Sequence, residues 1–136
     1  RQRLEEVVFA DMRHTFHLLE NEPRVLELAQ VVVKERPQFQ IESLRRERRI
    51  FQRILRDGTQ NGEFVLDNIT DATIAVHSAT LKYRYTQLFT NQTLEELERE
   101  LCFVLTLLVR GLTNPADQEA LPPTVVPLEV AFEKAV

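Results

Sequence analysis

Asp11, His14 and His17 follow one another at steps of three in the first amphipathic stretch of the chain. Two imidazoles and a carboxylate are a donor set suited to zinc. On a helix, however, each step of three turns by about 300°, so the set drifts over an arc of about 120° and converges poorly on one ion. No metal is expected there, and both histidines are read as surface or half-buried groups. His77 lies among small apolar residues. It is read either as the anchor of a ligand or as a core histidine bonded to a backbone carbonyl. Cys102 could be a redox switch, but its place in a charge-free run favours a small buried hydrophobe. Arg45, Arg46, Arg48, Arg49, Arg53 and Arg56 form a basic run that invites a nucleic-acid reading. Glu42 and Glu47 interrupt it, the complementary face is apolar and no aromatic residue is interleaved on the charged side, so a solvated face with intrahelical ion pairs is expected. Phosphate loop, CxxC, HExxH and GxSxG motifs are absent, and neither enzyme activity nor a cofactor is expected.

The elements that must position these groups are helices, and the chain is organised around the last of them, residues 93–112, TLEELERELCFVLTLLVRGL. Thr93 with Glu96 is a capping-box pattern, and Gly111 is placed to end the helix. The first half is striped, with Leu94, Leu97 and Leu101 among glutamates and Arg99. The second half, residues 101–109, carries no charge on any face. A helix apolar all round must be covered all round, so Leu105, Leu108, Val109 and their neighbours are expected to face a second copy.

Earlier in the chain, residues 1–19 read as a helix with Leu4, Val7, Val8, Phe16, Leu18 and Leu19 on its apolar face, widened by Phe9 and Met12. Asn21 and Pro23 start a second helix that runs to about Glu35, with Val25, Leu28, Val31 and Val32 sharing a face. Arg36-Pro37 stops it. A third covers residues 38–57, ended by Gly58, with Ile41, Leu44, Phe51, Ile54 and Leu55 buried. Asn61-Gly62 is a turn that tucks Phe64 back. A small-sided fourth helix runs from Asp67 or Asn68 to about Tyr83, and residues 87–92 connect it to the last. After Leu112, Pro115, Pro122, Pro123 and Pro127 rule out a continuous helix. Val125, Val126, Leu128 and Phe132 are apolar enough to dock as an extended arm. The expectation is an all-α, antiparallel bundle of about five main helices over residues 1–112, with a proline-containing extension at 113–136.

At 136 residues one domain is the simplest organisation. Charged residues at 28% and apolar residues at 43% fit a globular chain, and a net charge of −4 offers nucleic acid no overall attraction. No run reaches the ~20 apolar residues that span a bilayer, and no signal peptide is expected. A single cysteine fits a reducing cytoplasm. The chain starts at Arg1 inside an amphipathic pattern, and is expected to be the remainder of a longer protein.

Three features taken together resemble the C-terminal regulatory domain of the tetracycline-repressor-like (TetR) transcriptional regulators. They are RILRDGTQNGEF at residues 53–64, the alanine- and threonine-containing helix around residues 72–81 followed by Lys82-Tyr83, and LLVRGL at residues 107–112. The resemblance covers roughly residues 4–112. It implies a bacterial repressor-type regulator in which an N-terminal helix-turn-helix, missing from this sequence, reads DNA. The C-terminal part would bind a small-molecule inducer and form a homodimer through its last two long helices. The extension after Leu112 exceeds the family's usual ending.

On this reading a small hydrophobic effector enters among the first, third and fourth helices, lined by Phe9, Met12, Phe16, Phe51, Ile54 and His77. Ile69, Thr73, Val76, Thr80, Leu101, Leu105, Leu108 and Val109 are expected at the dimer interface. Effector binding would favour a dimer geometry that misplaces the DNA-reading heads. No membrane partner is expected. The competing readings are a ligand-free helical dimerisation or scaffold module and a small helical enzyme using His14, His17 or His77.

Overall fold

Prolines set the rhythm of the first three helices. In a computed structural model, which describes residues 1–86 and 90–114, α1 (Gln2–Asn21), α2 (Pro23–Glu35) and α3 (Pro37–Gln60) are separated by single residues. Pro23 and Pro37 each occupy the first turn of their helix, where a missing N–H costs nothing. The residues before them, Glu22 and Arg36, are pushed out of helical geometry, with φ/ψ of −131°/75° and −137°/63°. Each break is therefore confined to one residue, and consecutive helices pack on one another.

α4 (Ile69–Thr80) is capped by Asn68, whose side chain accepts from Thr70 N and Asp71 N at 2.9 and 3.1 Å. It does not continue as α-helix to Tyr83. It tightens into a 3₁₀ turn, Leu81–Arg84, which carries Tyr83 and Arg84 into the interior. Lys82 and Tyr83 anchor that turn to the last helix, α5 (Leu94–Thr113): Lys82 Nζ donates to both Glu100 oxygens at 2.7 and 2.9 Å, and Tyr83 Oη donates to Oε1 at 3.0 Å. Those bonds, the Lys82 one foremost, hold the Glu100 carboxyl at about 2, well below its ordinary value. α5 opens with the expected capping box. Thr93 Oγ1 accepts from Glu96 N at 3.3 Å while Thr93 N donates to the Glu96 carboxylate at 2.8 Å.

Among the described residues the core is one cluster to which α1, α3, α4, the 3₁₀ turn and α5 all contribute. From α1 come Leu4, Val8 and Met12, at helical steps of four. α3 adds Phe51, Ile54 and Leu55, α4 Val76, the 3₁₀ turn Tyr83, and α5 Leu97, Leu101, Leu105 and Leu112. α2 carries exposed apolar side chains. Leu28 is 63% and Val31 47% exposed, so only Val25 and Val32 of its expected apolar face turn even partly inward.

Two glycines do something other than stop a helix. α3 runs through Gly58 to Gln60, and the reversal comes at Gly62, whose φ is +73°. Gly58 is needed for close approach instead: a Cβ there would lie 2.3 Å from Phe64 Cδ2. Phe64 N and Glu63 N both donate to Gly58 O, which seats the Phe64 ring on the helix. Gly111 likewise lies inside α5, without a positive φ, and the helix ends at Asn114 in extended geometry. Residues 87–89 of the expected connection and all but the first two residues of the 113–136 extension, including the arm around Val125 to Phe132, lie outside the described residues.

Candidate functional site

Charge enters the bundle where α1, α3 and α4 meet. Glu47, on α3, points away from the arginines beside it in sequence and accepts from His77 Nε2 of α4 at 3.1 Å. Because the Glu47 carboxylate can only accept, Nε2 is the ring nitrogen that carries the proton. Glu47 Oε2 also accepts from Arg84 Nη1 of the 3₁₀ turn. Arg84 Nε lies 3.1 Å from Asp11 Oδ2 of α1, at an angle too poor for a hydrogen bond. The Arg84 guanidinium stands 4.8 Å from the centroid of Phe51, and the His77 ring meets the same phenyl edge-on at 6.1 Å. Arg84 and His77 are buried, whereas Glu47 and Asp11 retain some access to water.

The electrostatics follow from that arrangement. Burial alone would push the Glu47 carboxyl up, but the bond from His77 and the charge of Arg84 outweigh it and hold it below its ordinary value. Asp11 goes the other way. Its burial raises the carboxyl, and Arg84, shared with Glu47, offsets this only in part. The Tyr85 phenol is raised as well, by burial and by the nearby Glu47 carboxylate. One guanidinium thus serves two carboxylates, a polar junction tied to four elements at once, α1, α3, α4 and the 3₁₀ turn. Such an arrangement is sensitive to anything that shifts α1, α3 or α4.

Four of the expected ligand residues are buried: Met12, Phe51 and Ile54 belong to the one core cluster, and the His77 ring meets Phe51. Phe9 and Phe16 sit at the rim, half-buried against the core, with the Arg13 guanidinium 5.4 Å from the Phe9 centroid. His77 is a core histidine, but its partner is a carboxylate and not a backbone carbonyl. Asp11, His14 and His17 part company: Asp11 turns to Arg84, while His14 and His17 are exposed, His17 lying 3.7 Å from Glu20. Sequence reasoning missed Glu47 and Arg84. The available signals were a glutamate interrupting an arginine run and an arginine flanked by Tyr83 and Tyr85.

A family model described as tetracyclin repressor-like, C-terminal domain matches residues 1–104. The chain belongs to that family. Comparison with curated proteins and with solved structures gives no match.

In this TetR-like domain the helices expected to carry the dimer contact each other, since α4 packs on α5. Their inward residues are already used within one chain: Thr73, Val76, Thr80, Leu101, Leu105 and Val109 are all buried there. Ile69 and Leu108 lie half-buried at the edge. The outward stripe of α5 is one helical step away. It begins with Glu95, Glu96 and Arg99 and continues as Cys102, Phe103, Thr106 and Leu107, with Phe103 69% and Leu107 67% exposed. Cys102 is on this exposed stripe rather than buried, because it follows Leu101 by 100° around the helix and not by a full turn. No helix among the described residues is long and apolar enough to cross a membrane.

Proposed function

We propose that this TetR-family regulator domain senses a small, largely apolar effector and self-associates, the two acts being coupled. The observation that carries self-association is the outward stripe of α5, which changes from charged to apolar halfway along. Two large side chains, Phe103 and Leu107, stand in water on a helix whose other side is fully packed. A second copy placing the same stripe against them would remove both from water. The symmetry of such a pairing needs no second kind of surface. Val104 and Leu108, at the stripe's edges, would be covered with them. The interior residues first expected at the interface, Leu101, Leu105 and Val109 among them, support the stripe from behind.

The effector is assigned to the region among α1, α3 and α4, with its apolar body against Met12, Phe51 and Ile54 and a polar group at the His77–Glu47–Arg84 junction. Phe9 and Phe16 would form the rim. Since the junction joins four elements, a ligand that rearranges it would tilt α4, and with α4 its neighbour α5. The ligand acts only through different affinity for the two dimer geometries. DNA contact is assigned to helix-turn-helix heads joined to this domain, and the setting to the bacterial cytoplasm.

Thermal-shift screening of hydrophobic compounds, followed by the fluorescence of Tyr83 and Tyr85, tests the sensor. A compound that raises the melting temperature of the chain but not of a Phe51→Trp variant is the expected result. The tight burial of Met12 and Phe51 favours one rival, a ligand-free dimerisation module. No shift across a broad library, with self-association intact, would select that rival.

A further inference from the structure

A groove of about 410 Å³ runs along the outer side of the bundle between α1 and α3. Its volume is in the range of small-molecule sites. Arg3, Glu6 and Val7 form one wall; Arg49, Ile50, Arg53 and Ile54 form the other. The floor is hydrocarbon: Ile54 is buried, Val7 half-buried and Ile50 53% exposed. The rim is charged, and unequally satisfied. Arg3 is held by Asp57 at 3.2 Å, and Glu6 accepts from Gln2 at 2.7 Å. Arg49 and Arg53 have no hydrogen-bond or ion-pair partner among the described residues. The acidic residue that could have paired within this run, Glu47, is committed to His77 and Arg84, and Glu42 lies 3.9 Å from Arg46. Two guanidiniums one helical turn apart repel each other, and an anion placed between them relieves that repulsion.

We propose that this groove binds a free single-chain anionic amphiphile, its acidic head on Arg49 and Arg53 and its chain over Val7, Ile50 and Ile54. Bidentate guanidinium chemistry suits a carboxylate or phosphate head. A bare inorganic anion would leave the apolar floor unused, and a neutral lipid would leave the two arginines unpaired. The groove shares Ile54 with the interior effector site, but its two arginines take no part in the junction at Glu47 and His77, so the inference goes beyond that site and does not depend on it.

Calorimetric titration of the 136-residue chain with decanoate, kept below its micelle concentration, tests this. Decanol, acetate and phosphatidylglycerol vesicles are titrated in parallel. The expected result is saturable decanoate binding, at least tenfold tighter than decanol or acetate. Binding should weaken at least tenfold in an Arg49→Gln/Arg53→Gln variant whose helical circular dichroism is unchanged, both side chains being exposed. Absence of decanoate binding, equal affinity for decanol, or full retention in the double variant would overturn the proposal. So would binding to vesicles without binding to decanoate, which would make this face a bilayer contact instead.

Discussion

At the junction of α1, α3 and α4, charge lies where hydrocarbon is usual; on the outer side of α5, hydrocarbon lies where charge is usual. The two regions depart from the common pattern in opposite senses, and both departures cost the isolated chain stability. Burying Arg84 and His77 requires partners for each, which Glu47 and Asp11 supply only in part. Leaving Phe103 and Leu107 about two-thirds in water forgoes about 1–2 kcal/mol of burial for each side chain. A fold selected only to keep one chain folded would remove both features. Their coexistence in a TetR-like domain fits a molecule with an interior to be read by a ligand and an exterior to be covered by a copy.

The largest effects are expected at buried side chains, at the junction and on the inner side of α5 alike. Arg84→Met leaves Glu47 and Asp11 without their cation, and urea denaturation should find the chain about 3 kcal/mol less stable, the low end of the range because both carboxylates retain some water. Glu47→Gln, which still accepts from His77, should cost clearly less. Equal costs for the two variants would mean that the junction is held by packing and not by charge.

The two sides of α5 should separate next. Leu105→Ala, on the buried side, is expected to lower folding stability by about 2–5 kcal/mol. Leu107→Ala, two residues on and exposed, should leave the fold of a single chain nearly unchanged. It should instead weaken self-association by about 2 kcal/mol, roughly thirtyfold, measured by sedimentation at a series of concentrations. Gly58→Ala isolates packing from both regions. A helical Gly→Ala change normally gains about 1 kcal/mol. Here the clash with Phe64 should reverse the sign, to a loss of about 1–2 kcal/mol by thermal denaturation.

The smallest effect is in the acid limb. Glu47 and Glu100 both have carboxyls lowered in the folded chain, so each contributes stability above its ordinary range that is lost as the pH falls. For Glu100 the window runs from about 4.5 down to about 2. Glu100→Gln should flatten the fall in melting temperature within that window by a modest amount, since its partner Lys82 and the carboxylate are both partly in water.

How far the chain could be read in advance follows from the range of each interaction. Local signals were sufficient: the Thr93–Glu96 box, the Asn68 cap and Pro23 and Pro37 at helix starts are all settled within a few residues. Glycine was misread because its two uses look alike in sequence. Gly58 admits the Phe64 ring, and only Gly62 needs a left-handed backbone. The phase of α5 was also not readable, since a run of residues without charge does not say which side the chain itself will cover. Hence Leu101, Leu105 and Val109 went inside while Cys102 and Phe103 stayed out. The junction was hidden for a different reason. His77 and Arg84 reach Glu47 across 30 and 37 residues, and that pairing depends on the 3₁₀ turn after Thr80, which no residue pattern announces.

Sedimentation equilibrium of the chain beside a Phe103→Glu/Leu107→Glu variant tests self-association through α5 most directly. The account predicts a dimer that the double substitution converts to a folded monomer with unchanged helical content. A chain that is monomeric at high concentration before any substitution, or a variant that remains dimeric, would contradict it.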